Sequence, residues 1–295
     1  MTQEATIGTE RAGRPHAVEA APEPAITVIR PRNNLARLGL PQLWEYRYLL
    51  KFFVLRALRG RYRATLLGYG WIVLRPVLMC TVYVLVFGYL FGIKSGAVPF
   101  PLFALLGILV FLFFAGGVNE IASSLFGNAG TMAKVYYPRL VVPLTSLVTN
   151  TIDFVVGLGL VVFLMLVYRV PPSWNVVFAP LFLGGIVFIT FSIGLILAAK
   201  SVDRRDIMIA LPVVMRIVIY AMPAVYPVTL IPDRFQPIYY LNPMAAYLQG
   251  LRWALWNDHS PPIWSLLLAG TLTVGALLYG LRLFNRAETT MVDRL

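Results

Sequence analysis

The sequence predicts an all-α polytopic membrane protein with six transmembrane helices, an N-terminal amphipathic interface helix and a re-entrant external helical hairpin before the last span. Three observations predict it. Hydrophobic residues make up 59% of the 295 positions and charged residues only 13%, whereas soluble domains carry roughly a quarter charged residues. Apolar runs of about 20 residues, the length a helix needs to cross the hydrocarbon core, lie near 67–92, 99–122, 141–168, 176–199, 207–228 and 263–284. The N-terminal head, residues 1–66, carries eleven of the 25 Lys and Arg.

Taken in order, residues 1–34 hold Ala, Pro, Glu and Arg without a hydrophobic period and lack the apolar core of a cleavable signal. They predict a disordered cytoplasmic tail. Residues 35–66 predict the interface helix: Leu43, Tyr46, Leu50, Phe53 and Ala57 recur at helical spacing, with Arg47, Lys51, Arg56 and Arg59 projecting elsewhere. Trp44, Tyr48 and Phe52 among those charges suit headgroup depth. The helix reads either as a membrane anchor or as an anchor that also docks a partner. The connection at 123–140 is polar at its start, and Pro138 and Pro143 bracket the beginning of the third span, which would hold a short helix at a fixed angle.

The segment 229–262 is broken by Pro232, Pro237 and Pro243 yet too apolar for a solvated loop. It predicts two short helices dipping back from the outer surface, or an amphipathic hairpin lying on it. Asn242 as N-cap with Pro243 at the first helical position starts the second helix. After the last span, 285–295 forms a short C-terminal segment. Nineteen Lys and Arg fall on the side of the termini against Lys94, Arg169, Arg234 and Arg252 on the other, which puts both termini in the cytoplasm. The net charge of +12 is then orientation and attraction to anionic headgroups, and no nucleic-acid partner is inferred.

Four charges fall within spans: Arg75, Glu120, Asp153 and Arg216. An unpaired charge there is costly. At 1.5 Å rise per residue Asp153 lies roughly 18 Å and Arg216 roughly 14 Å from the cytoplasmic ends of their spans, so an Asp153–Arg216 pair is expected. Arg75, roughly 12 Å in, can snorkel toward Glu120 at its span's cytoplasmic end. These charges serve either as interhelical contacts or as the inner mouth of a path for an anionic headgroup. Tyr83, Phe87 and Phe91 form an i, i+4, i+8 stripe, read as packing or as a guide for sugar rings.

Several chemistries have no residues to carry them. No phosphate-binding loop of the G-x-x-x-x-G-K-[ST] kind occurs; the nearest approach, Gly88 to Ser95, has an extra residue before Lys94 and sits at the outer face. The chain therefore cannot energise itself with ATP, and no cofactor is expected in it. His16 and His259 lie far apart and Cys80 is the single cysteine, so no metal site is expected. Asp258 beside His259 is a weak dyad. A membrane-embedded hydrolase or transferase is therefore not expected.

Four ordered segments, RGRYRATLLGYGWIVLRPVL (59–78), KVYYPRLVVPLTSLVTNTIDF (134–154), PAVYPVTLIPDRF (223–235) and LNPMAAYLQGLRWAL (241–255), resemble the permease subunit of ABC-2 type polysaccharide exporters, the group that exports O-antigen, capsule and teichoic acid chains. The resemblance spans about 43–284. It implies a homodimer paired with two nucleotide-binding ATPase subunits in a bacterial inner membrane, moving a lipid-linked polysaccharide. It further implies coupling through Lys134, Tyr136, Tyr137, Pro138 and Arg139, an external gate of Tyr226, Pro227, Pro232, Tyr239, Tyr240, Asn242, Pro243 and Arg252, and Arg75 at the inner entrance. An undecaprenyl-diphosphate-linked O-antigen-type glycan is the expected cargo. Capsular polysaccharide, teichoic acid, or small lipids and drugs are the alternatives within transport, and a membrane scaffold without cargo is the alternative outside it.

Overall fold

A computed structural model describes residues 46–63, 65–96, 98–128, 130 and 137–288. Among them the secondary structure is helical throughout, without a strand. The predicted tail at 1–34, Leu43 and Trp44, the coupling candidates Lys134 and Tyr136, and the last seven residues lie outside the described residues.

The first helix among the described residues, α1 (Arg47–Tyr62), realises the expected stripe. Tyr46, Leu49, Leu50 and Phe53 pack on Tyr137, Val141 and Val142, whereas Tyr48 and Phe52 point outward at 71% and 60% exposure. The first long apolar helix begins with a 3-10 turn at Gly68–Gly70 and continues as α2 (Trp71–Tyr83) into a π-helical stretch, Val84–Leu90.

Next comes α3 (Phe100–Gly127), started by Pro99 and Pro101, residues suited to a helix's first turn because their missing N–H would have had no partner there. Of its most apolar stretch 83% is buried inside the chain, against 11% for Gly68–Leu90. It is therefore the axis of the bundle, flanked by α2, α4 (Val141–Val167), α5 (Ala179–Ser201) and α6 (Asp206–Ala221). The last long helix, α8 (Ile263–Glu288), packs on α5.

Five helices among the described residues are long and apolar enough to cross a bilayer, where six were expected. The stretch 207–228 is the exception. Its helix, α6, has 16 residues, about 24 Å at 1.5 Å per residue and short of a hydrocarbon core of about 30 Å. It stops at Met222, which is extended at φ −98° and ψ 140°, because the ring of Pro223 clashes with a helical conformation in the residue before it. Met222, Ala224 and Val225 then run as buried, non-helical chain against the core.

The segment 229–262 also differs from expectation in its first half. Two 3-10 turns, Val228–Leu230 and Asp233–Phe235, and a single turn at Gln236–Tyr239 replace the first of the two short helices. The second forms as anticipated: α7 (Pro243–Trp256) has Asn242 as N-cap, its side chain accepting from Met244 N at 3.0 Å. It ends at Asn257 in the left-handed region, φ 56°. Wedged against α5 and α8, α7 defines one end of the bundle, and α1 defines the other.

Candidate functional site

The charged residues of the sequence sort into two places. Toward the α1 end, a cavity of about 510 Å³ opens between α1, α2, α3 and α4. Arg61, Arg75, Glu120, Asn150 and Asp153 supply its polar lining, and Trp71, Leu109, Leu112, Phe113 and Phe154 its apolar walls. Arg61 makes ion pairs with both Glu120 and Asp153. Asn150 Nδ2 also donates to Glu120 Oε2 at 2.5 Å, so this carboxylate is fixed from two helices. The three side chains are 26%, 38% and 18% exposed for Arg61, Glu120 and Asp153, which leaves them in contact with the cavity.

The expected Asp153–Arg216 pair does not form. Arg216 stands exposed on α6, which packs on α3 and α5, while Asp153 is on α4. Equal depth did not bring the two onto facing helices. The residue that takes Asp153 instead is Arg61, which the sequence reading did not single out. A signal was present: the stripe Tyr46, Leu50, Phe53, Ala57 extended by one more helical step reaches Arg61. Arg75 lines the same cavity as Glu120, but the expected reach toward that carboxylate does not produce an ion pair among the described residues.

At the other end, Arg252 of α7 is completely buried, at 0% exposure. Counting it as an external loop charge was therefore incorrect. Its guanidinium lies 3.5 Å from the centroid of the Phe103 ring, and Nη2 donates to Ala224 O at 3.0 Å.

Gly107 makes the arrangement possible, since a Cβ there would stand 1.8 Å from Ala224 O. Asn242 Nδ2 donates to Ala221 O at 3.1 Å, and Tyr226 donates from its hydroxyl to Tyr220 O at 2.8 Å. The broken end of α6 thus receives side-chain donors where helical N–H groups are missing.

Of the other gate candidates, Tyr239 and Tyr240 pack edge to face with centroids 5.3 Å apart, and Tyr240 continues to Trp264 at 6.4 Å. Pro243 opens α7 and Pro227 is buried beside the break, but Pro232 is exposed. Among the coupling candidates, Tyr137 is 4% exposed and lies 5.3 Å from the Phe53 ring. Pro138 O accepts from Val141 N at 3.0 Å, and Arg139 O from Val142 N at 3.1 Å, at the start of α4. The rings of Tyr83, Phe87 and Phe91 follow one another at 5.7 and 6.0 Å along α2 and its π-helical extension. The neighbours Asp258 and His259 do converge, Oδ1 to Nδ1 at 3.0 Å, with Gln249 held between Asp258 and the His259 carbonyl. Among the described residues no group of three His, Cys, Asp or Glu gathers for a metal.

The ABC-2 type transporter family model matches residues 48–256. The chain belongs to the ABC-2 type transporter family. The match runs from α1 through α7 and so contains both charged sites. This ABC-2 protein is 32% identical over 225 residues to the O-antigen export system permease protein RfbA of Myxococcus xanthus, covering 75% of this chain and 85% of that one. A protein of the same name from Klebsiella pneumoniae is 26% identical over 251 residues, 81% of this chain and 91% of that one. The polysialic acid transport protein KpsM of Escherichia coli is 22% identical over 243 residues, 81% and 93% of the two chains. The family assignment agrees with the resemblance read from the four segments.

Proposed function

We propose that this chain is the transmembrane permease subunit of an ATP-binding-cassette exporter. Its cargo is a lipid-linked polysaccharide, in the first instance an undecaprenyl-diphosphate-linked O-antigen-type glycan, carried outward across a bacterial inner membrane. The observation that carries this reading is the similarity, over 75% of the chain, to a permease named for O-antigen export. Two copies pair with two nucleotide-binding subunits, which hold ATP and Mg and supply the energy. The permease itself contributes a path and its gates.

Both termini are cytoplasmic in this reading. With Arg252 recognised as buried, the Lys and Arg count becomes nineteen against three, which strengthens that orientation. The α1 end then faces the ATPase. There Tyr137, Pro138 and Arg139 join the start of α4 to α1, so a push on the 123–140 connection reaches two helices together.

The sixth crossing is made by α6 together with the extended chain after Met222, and α7 is the re-entrant helix of the outer gate. Side-chain donors to the Ala221 and Ala224 carbonyls support this, because non-helical backbone at membrane depth persists only where protein or a water-filled cavity surrounds it.

Deletion of the gene should abolish the surface polysaccharide of its host, with restoration by the intact gene. Vesicles containing the purified permease and its ATPase should translocate the lipid-linked glycan only with hydrolysable ATP. Translocation by the permease alone, or an unchanged surface glycan in the deletion strain, would overturn the proposal.

A further inference from the structure

We infer that the cavity at the α1 end is a binding site for the glycosyl phosphate portion of a lipid-linked glycan, with Arg75 as its phosphate anchor. The inference rests on the proposed function, which it deepens by assigning residues to one part of the cargo. Its volume of about 510 Å³ lies within the range of about 300–1,000 Å³ typical of small-ligand sites.

The lining divides by chemistry. Arg61 is held by two carboxylates, whereas Arg75 lines the same space without an ion pair among the described residues. A guanidinium so placed matches a phosphate oxygen pair in geometry and in charge. The Glu120 and Asp153 carboxylates and the Asn150 side-chain oxygen are acceptors, and the hydroxyls of a sugar are donors. The indole of Trp71 offers an apolar face of the kind sugar rings pack on, and the walls formed by Leu109 and Phe113 suit the first isoprenoid units of a lipid tail. One phosphate anchor, several hydroxyl acceptors and an apolar wall in a single cavity complement the junction between lipid and glycan. A bare anion or a simple phospholipid would use only part of this lining.

The test uses the full-length chain in lipid nanodiscs and a soluble probe, farnesyl diphosphate-linked N-acetylhexosamine, with binding followed by microscale thermophoresis. Farnesyl diphosphate, N-acetylhexosamine 1-phosphate, inorganic diphosphate and phosphatidylglycerol are the competitors. The linked probe should bind most tightly, and either half should compete more weakly. Arg75→Ala should weaken binding by about tenfold, the effect of losing a charge-assisted hydrogen bond, and Arg75→Lys by less.

A second variant leaves every charge in place. Gly116 also lines the cavity, and a Cβ there would sit at an ordinary 3.6 Å from Asn150 Oδ1, so Gly116→Leu fills the space and should abolish binding. Unchanged affinity in folded Arg75→Ala and Gly116→Leu proteins would overturn the inference, as would phosphatidylglycerol competing as well as the probe. Loss of surface glycan on deletion, together with unaltered binding in both variants, would sink the site and leave the function standing. Binding that depends on Arg75 in a chain whose deletion spares the glycan would do the reverse.

Discussion

Arg61 and Arg252 are both drawn into the helical bundle, and they are accommodated by opposite means. Arg61, at the end of α1, meets two carboxylates in a cavity that keeps all three groups partly exposed. Arg252, in α7, is fully buried against an aromatic ring and a backbone carbonyl. The first arrangement keeps partial exposure and opposite charge, so its cost is low. The second gives up water, and it persists only because Phe103, Gly107 and the broken chain at Ala224 are all in position. A cation over an aromatic face contributes about 2 kcal/mol when desolvated, and a hydrogen bond from a charged donor about 1.5–3 kcal/mol. One end of the bundle thus holds its arginine by opposite charge and the other by packing.

The contrast is broken most severely at Arg252. Arg252→Ala should destabilise the purified permease by about 3 kcal/mol, since it leaves a void beside Phe103 and an Ala224 carbonyl without its donor. Arg252→Met, which refills the volume, should recover part of that loss in the same thermal unfolding measurement. Equal melting temperatures for Arg252→Ala and the parent would show that the clamp is unimportant.

An intermediate effect is expected in the charged cavity. Asp153→Asn should cost about 1 kcal/mol, because Glu120 remains to pair Arg61 and the cavity is partly solvated. A double-mutant cycle between Asp153→Asn and Glu120→Gln should give a non-zero coupling through the shared guanidinium. Raising ionic strength should shrink the Asp153 effect and leave that of Arg252 unchanged, because buried interactions are screened far less. Strict additivity of the two carboxylate substitutions would argue that Arg61 does not link them.

The smallest change is expected at the N-cap of α7. Asn242→Ala should cost about 0.5–1 kcal/mol, the lower part of the range for an N-cap, because the accompanying bond to Ala221 O is exposed. Hydrogen exchange should then rise at Met244 and around the end of α6, and protection unchanged at both places would separate the cap from the break.

Much of the fold was legible because hydropathy and proline act locally. The five long apolar helices follow from run length, the start of α7 from Asn242–Pro243, and the buried face of α1 from the spacing of Tyr46, Leu50 and Phe53. The early end of α6 is encoded locally too, in Pro223, although the apolar run continues past it. The site was less readable. Depth suggested that Arg75 reaches Glu120 and that Asp153 pairs with Arg216, yet both carboxylates are taken by Arg61 of α1.

The sequence by itself determined that this chain crosses a membrane repeatedly, which end carries the basic charge, and where its helices stop, since each depends on residues within a turn or two of one another. Only the tertiary structure decided that Arg61 reaches Asp153 across 92 positions of sequence and that Arg252 is buried among Phe103 and Ala224. The lateral order of helices in a bundle is fixed by which surfaces fit. Gly107 admits the Ala224 backbone and the α1 stripe fits Val141 and Val142, and these contacts set which charges meet.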